Sequence, residues 1–168
     1  DATGVAVVTA AAAEMGRVPS RSRNILFVLF DEEERGLRGS RAFAQKLKDE
    51  NRSVHSVHTI DQMGWDTDGD RAVELEIPYD GAVALYEKAA GALPGPVPLL
   101  TTTEAGSDHS AFRKLGFPAV GLTEEYHHQD TTPHIHRSTD TFDTVDFAYL
   151  RSTTDLVVAV LRILTRSF

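Results

Sequence analysis

Runs of apolar residues with a helical repeat alternate along this chain with short apolar or alternating runs. Residues 4–15 are rich in Ala and Val and predict a helix, with Gly16 as its stop. A polar, proline-containing connection covers 17–23. The run Asn24-Ile25-Leu26-Phe27-Val28-Leu29-Phe30 is continuously apolar after its first residue and predicts a fully buried strand. A helix follows near 40–50, then a weakly alternating strand over 54–60 that ends at Asp61. Residues 72–77 predict a third strand, short and alternating, placed at a sheet edge. Residues 79–92 predict a helix that stops before Leu93-Pro94-Gly95-Pro96. A short strand at 99–102, a short helix over 107–115 with Ser107 or Gly106 near its cap, and a strand over 117–123 come next. Residues 124–141 form a polar, His-rich loop, and a closing helix runs over 144–166. Strands alternating with helices predict an α/β sheet covered on both faces.

Composition narrows the functional classes. The 168 residues suffice for one domain with a real core. The formal net charge of −8 argues against nucleic acid as a partner. The chain has no cysteine, which excludes disulfides, thiolate zinc sites and a cysteine nucleophile. No apolar run is long enough to span a membrane, and no signal peptide is visible. The chain opens without an initiator methionine, which reads as a processed chain or a portion of a longer one.

Candidate chemistry gathers at strand ends. Four consecutive acids, Asp31-Glu32-Glu33-Glu34, follow the apolar run 24–30 and precede a glycine turn. In open α/β sheets ligands bind at that edge, and clustered like charges there cost stability unless a cation or a proton-transfer role uses them. Asp61 ends the next strand, and His127, His128, His134 and His136 crowd one late loop. Carboxylates and imidazoles together suit a catalytic zinc. Each feature also has a plain reading. An acidic run is usually a solvated turn, a strand-ending Asp a turn former, and a His-rich loop mere surface.

Four ordered motifs resolve the choice. Glu33-Glu34-Arg35-Gly36-Leu37-Arg38-Gly39-Ser40 resembles the EExGLxGS motif of co-catalytic zinc exopeptidases of the aminopeptidase Y and bacterial leucine aminopeptidase type. Ile60-Asp61-Gln62-Met63-Gly64, Ser107-Asp108-His109-Ser110-Ala111-Phe112 and Ile135-His136-Arg137-Ser138-Thr139-Asp140-Thr141 resemble that family's LDMxG-like, SDHxxF and IHxxxDT segments. Asp1-Ala2-Thr3-Gly4-Val5 resembles the end of its DDxSG segment. The resemblance implies a zinc-exopeptidase-like, three-layer fold with a mostly parallel mixed sheet. It implies that Glu33 is the general base, that Glu34 and His136 are terminal ligands of one Zn2+, and that Asp61 is a terminal ligand of the other. Asp1, Asp108 and Asp140 become candidates to orient ligands, with Asp108 and Asp140 at least as readable as a helix cap or turn former. Of the four loop histidines, only His136 is implied as a ligand.

The resemblance also implies what is missing. The family site uses five ligands, and this chain supplies three. A histidine of an HxD motif and the aspartate bridging both zincs would lie upstream of residue 1. The expectation is therefore a single catalytic-domain portion over 1–168, lacking N-terminal strands. Such a portion should hold one zinc or none and leave apolar sheet surface uncovered. The implied activity is hydrolysis of N-terminal peptide bonds of a peptide substrate by metal-activated water. Alternatives on the same fold are a glutaminyl-peptide cyclase, an acidic-dipeptide carboxypeptidase, or a non-catalytic binding module. A secreted or periplasmic location is implied by resemblance alone. The sequence does not specify oligomeric state.

Overall fold

The computed structural model describes residues 1–166. The last two positions of the expected 1–168 domain lie outside them. Five helices surround one sheet. They are α1 (Ala2–Gly16), α2 (Arg38–Asp49), α3 (Ala82–Ala90), α4 (His109–Lys114) and α5 (Phe147–Thr165). The strands are β1 (Val57–Ile60), β2 (Val73–Glu76), β3 (Leu99–Thr102) and β4 (Ala119–Thr123), in the spatial order β1-β4-β2-β3. β1 pairs β4 and β2 pairs β3 in parallel, while β2 meets β4 antiparallel. The fold is thus an α/β three-layer arrangement on a mixed, mostly parallel sheet, as the family resemblance implies.

Side-chain alternation along the strands sorts the two faces. Val73, Leu75, Val120 and Leu122 join Val7, Ala11 and Met15 of α1, Tyr86 of α3, and Leu156, Val157 and Val160 of α5 in the main core. On the opposite face Ala119 packs with Ala44 and Leu47 of α2 and with Ala111 and Phe112 of α4. α5 starts on an Asp146 cap that accepts from Ala148 and Tyr149 N–H, which satisfies two of the free donors of its first turn. Among the described residues no helix is long and apolar enough to cross a membrane.

Two expectations need correction. Residues 24–30 belong to no strand of the sheet. Ile25 packs on the main core and Phe30 stacks against Phe43 and Phe112, both at 5.8 Å. Between them Leu26, Phe27 and Leu29 are exposed. An apolar run favours a strand only where a partner completes its ladder, and this one has none. Second, β2 is not an edge. It lies between β4 and β3, so its alternating glutamates face the α2/α4 layer rather than water. The edge beside it is β3.

Candidate metal centre

The site grows from one 3-10 turn in front of α2 and from two turns that leave the sheet at one edge. The acids after residue 30 fold into a single 3-10 turn, Glu33–Arg35, in front of α2. β1 ends at Ile60. Its pairing with β4 continues one step, with Asp61 N–H donating to Leu122 O at 3.0 Å. The Asp61 backbone is therefore fixed by the ladder itself. β4 runs parallel to β1 and ends beside it at Thr123, and the His-rich segment starts there. Parallel pairing therefore delivers Asp61 and the late loop to the same edge.

Backbone strain occurs at each of these turns. Glu32, Gln62 and His136 all adopt left-handed conformations, with φ of 55°, 49° and 57°. Two of these residues flank Glu33 and Asp61, and the third is the candidate ligand itself. Each costs a non-glycine residue roughly 1–2 kcal/mol, and such outliers gather where side chains must be aimed.

The side chains meet in part. His136 Nε2 lies 2.5 Å from Glu34 Oε1, across 102 residues of sequence, and both groups are largely solvent-exposed. Asp61 stands apart from that pair and accepts a hydrogen bond from Ser107 Oγ at 3.0 Å. Among the described residues Glu34, Asp61 and His136 do not converge on one point. The hard carboxylate oxygens and the imidazole nitrogen suit zinc.

Electrostatics ties the groups together. The Glu33 carboxyl is raised to about 7, first by burial, then by the negative charges of Asp61, Glu34 and Asp108, with His136 acting the other way. Asp108 is also raised, by burial and by Asp61, while the Ser40 hydroxyl lowers it. Its Oδ1 is buried with no hydrogen-bond partner. This is an acidic cluster short of positive charge, which a divalent cation would relieve.

The other candidate residues do plainer things. Asp1 caps α1, accepting from Thr3 and Gly4 N–H. Asp140 is exposed, and its side chain has no hydrogen bond or ion pair among the described residues. His134 turns to Thr139 Oγ1 at 2.9 Å and stacks edge-on against Trp65. His127 and His128 turn away from Glu34 to Glu74 and Glu76 of β2.

Three buried acids were not singled out from the sequence. Glu124, the first residue after β4, is 1% exposed. It accepts from Gly64 N–H, Thr132 N–H and Thr131 Oγ1. The signal was available, since an acid directly after a buried strand is the pattern that marked Asp61. Glu74 and Glu76 are the others, at 0% and 5% exposed. Burial, then Glu74, Asp61 and Glu33, push the Glu76 carboxyl up to about 7.

The chain is similar to known proteins in sequence and in fold. The chain is 28% identical over 138 residues to leucine aminopeptidase 1 of Ajellomyces dermatitidis, covering 77% of this chain and 35% of that protein. It superposes on the LapA aminopeptidase of Legionella pneumophila with a TM-score of 0.87 and 25% identity, covering 100% of this chain and 46% of that one. It superposes on BSAP, a zinc aminopeptidase from Bacillus subtilis, with a TM-score of 0.85 and 24% identity, covering 99% and 42%. The chain thus spans less than half the length of these relatives. Its ordered acid and histidine motifs, its mixed, mostly parallel sheet, and the match of the family model over residues 1–161 lead to one assignment: the chain belongs to peptidase family M28.

Proposed function

We propose that this chain is the catalytic portion of a zinc-dependent aminopeptidase, a hydrolase acting on the N-terminal bond of a peptide substrate. The observation that carries the reading is the contact of His136 with Glu34, next to a Glu33 raised to about 7. Glu34 and His136 would hold one zinc and Asp61 would serve the other. When bound, zinc supplies Lewis-acid polarisation of a peptide carbonyl.

The residues perform the rest. Glu33 takes a proton from the attacking water as its oxygen adds to the carbonyl carbon. It then gives that proton to the amine as the C–N bond breaks. A carboxyl titrating near neutrality is matched to both halves of this transfer. Ser107 holds Asp61 in orientation through its 3.0 Å hydrogen bond.

The test is hydrolysis by the full-length protein, with and without a chelator. The substrates are free aminoacyl p-nitroanilides, their N-acetylated forms, and C-terminally acidic dipeptides. Chelator-sensitive cleavage of the free aminoacyl substrates alone supports the reading. Cleavage of the acidic dipeptides instead makes the protein a carboxypeptidase, and no cleavage of any of them removes the peptidase reading.

A further inference from the structure

Glu74 and Glu76 sit on the same side of β2, an interior strand, and both are buried. Two buried carboxylates side by side need compensation. No Lys or Arg forms an ion pair with either among the described residues. Their partners are histidines. His128 Nδ1 lies 2.7 Å from Glu74 Oε2, and His127 backbone N–H donates to the same oxygen at 3.0 Å. That oxygen is occupied, whereas Glu74 Oε1 is buried and has no hydrogen-bond partner. His109, 0% exposed, presents Nδ1 to Glu76 Oε2 at 3.5 Å, and neither of its ring nitrogens has a hydrogen bond.

We infer that Glu74, Glu76 and His127 form a further divalent-metal site of the zinc class, separate from the Glu34–His136 pair. One donor atom from each of the three lies within 4.8 Å of the others. His127 Nε2 is 3.9 Å from Glu74 Oε1 and 3.6 Å from Glu76 Oε1. Ligands at bond lengths of about 2.0–2.2 Å around a tetrahedral ion stand roughly 3.3–3.5 Å apart. Small movements of the partly exposed His127 side chain close that difference. Two carboxylates and an imidazole favour zinc or a similar first-row cation over calcium, which takes six to eight oxygens.

The surroundings fit a built site. The His127 amide and the His128 ring fix Glu74 through its other oxygen, as outer-shell partners orient a metal ligand. Gly121 on β4 stands opposite Glu76, and a Cβ there would lie 2.5 Å from Glu76 Oε2 and 2.6 Å from His109 Nδ1. The lack of a side chain at that position leaves room for both groups. An ion bound here would pin the loop after β4, which leads to His136, onto β2. It runs against the expectation that His136 alone among the loop histidines binds metal.

The test is zinc content of the full chain after equilibrium dialysis, with circular dichroism as the fold control. His127→Ala alters a partly exposed side chain and should lower the count by one zinc per chain. His136→Ala should remove a different zinc, and the double variant should lose both. His134→Ala should change nothing. In the His136→Ala background, cobalt should give a ligand-field spectrum that Glu74→Gln weakens at least ten-fold in apparent affinity. A folded His127→Ala protein with unchanged zinc content overturns the site, as does a cobalt spectrum unmoved by Glu74→Gln. The readout is metal, not turnover. A chain that binds zinc here yet cleaves no peptide loses only the peptidase reading.

Discussion

Glu124 Oε2 accepts a hydrogen bond from the Gly64 backbone N–H at 3.0 Å, joining positions 60 residues apart. Its other oxygen takes Thr132 N–H at 2.8 Å and Thr131 Oγ1 at 2.9 Å. One buried carboxylate therefore ties the segment after Asp61 to the segment before His136. Both candidate ligands hang from turns that Glu124 holds in register.

Glu124→Ala should accordingly damage stability and the metal centre together. It strands two backbone donors and a hydroxyl in a buried place. Hydrogen bonds to a charged group count for more than neutral ones, so the expected loss is about 2–4 kcal/mol. Urea denaturation measures that loss. Zinc titration of the folded variant should show weaker binding. An unchanged denaturation midpoint would mean the loop is held by other contacts.

Glu33→Gln separates the base from the ligands. In the full-length protein it should retain zinc and lose about 10²–10⁴-fold in kcat, the usual contribution of a positioned proton-transfer group. It should also stabilise the metal-free chain at pH 8. Glu33 has a raised pKa, so its folded-state penalty is absent below 4.5, grows as the pH rises from 4.5 to about 7 while only the unfolded chain ionises, and is complete above that. Removing the charge removes the penalty. Melting curves of both proteins at pH 8 without metal check the sign.

Gly4 lets the start of α1 touch the end of β1. A Cβ at this position would lie 2.0 Å from Asp1 Oδ2 and 2.5 Å from Ile60 O, one residue before Asp61. Backbone cannot yield as a flexible side chain does. Gly4→Ala should therefore cost about 1–3 kcal/mol, the range for forced overpacking. It should also disturb the hydrogen bond from Met63 N–H to Thr3 Oγ1, 3.0 Å long in the native protein. Thermal melting checks the first effect, and hydrogen exchange at Met63 the second.

His58 should make acid destabilising away from the metal centre. Its ring sits between Tyr86 Oη at 2.8 Å and Ser56 Oγ at 3.0 Å. Burial, then His55, lowers its pKa to about 4 from the ordinary 6.5. Between those values the unfolded chain binds the proton and the folded one does not. The contribution is therefore complete above pH 6.5 and falls as the pH drops toward 4, by at most about 1.4 kcal/mol per unit. His109, also lowered to about 4, acts in the same direction, so the measurement is a difference. The stability gap between native protein and His58→Gln should narrow from pH 7 to pH 4. A gap independent of pH would show that His58 titrates alike in the folded and unfolded chain.

Much of this was legible in the residues themselves. Helix positions, the strand at 99–102, and the motifs carrying Glu33, Glu34, Asp61 and His136 all depend on local patterns. Periodicity and motif spacing are properties of neighbours in sequence, so they survive without coordinates. The apolar run 24–30 was misread because strand formation depends on a ladder partner, which lies elsewhere in the chain or outside it. Glu124 was passed over as the first residue of a polar loop, although its position after β4 mirrors that of Asp61 after β1.

Sequence by itself determined the fold class and the chemical types at the strand ends. Hydrophobic period and ordered motifs are enough for both. Tertiary structure decided which acids face water. The alternation Val73-Glu74-Leu75-Glu76 states that two faces differ, but not that the glutamate face is covered. Only placement of β2 between β4 and β3, under α4 and beside His127, buries those carboxylates. Burial depends on what packs above a strand, and a strand's own residues do not encode that neighbour.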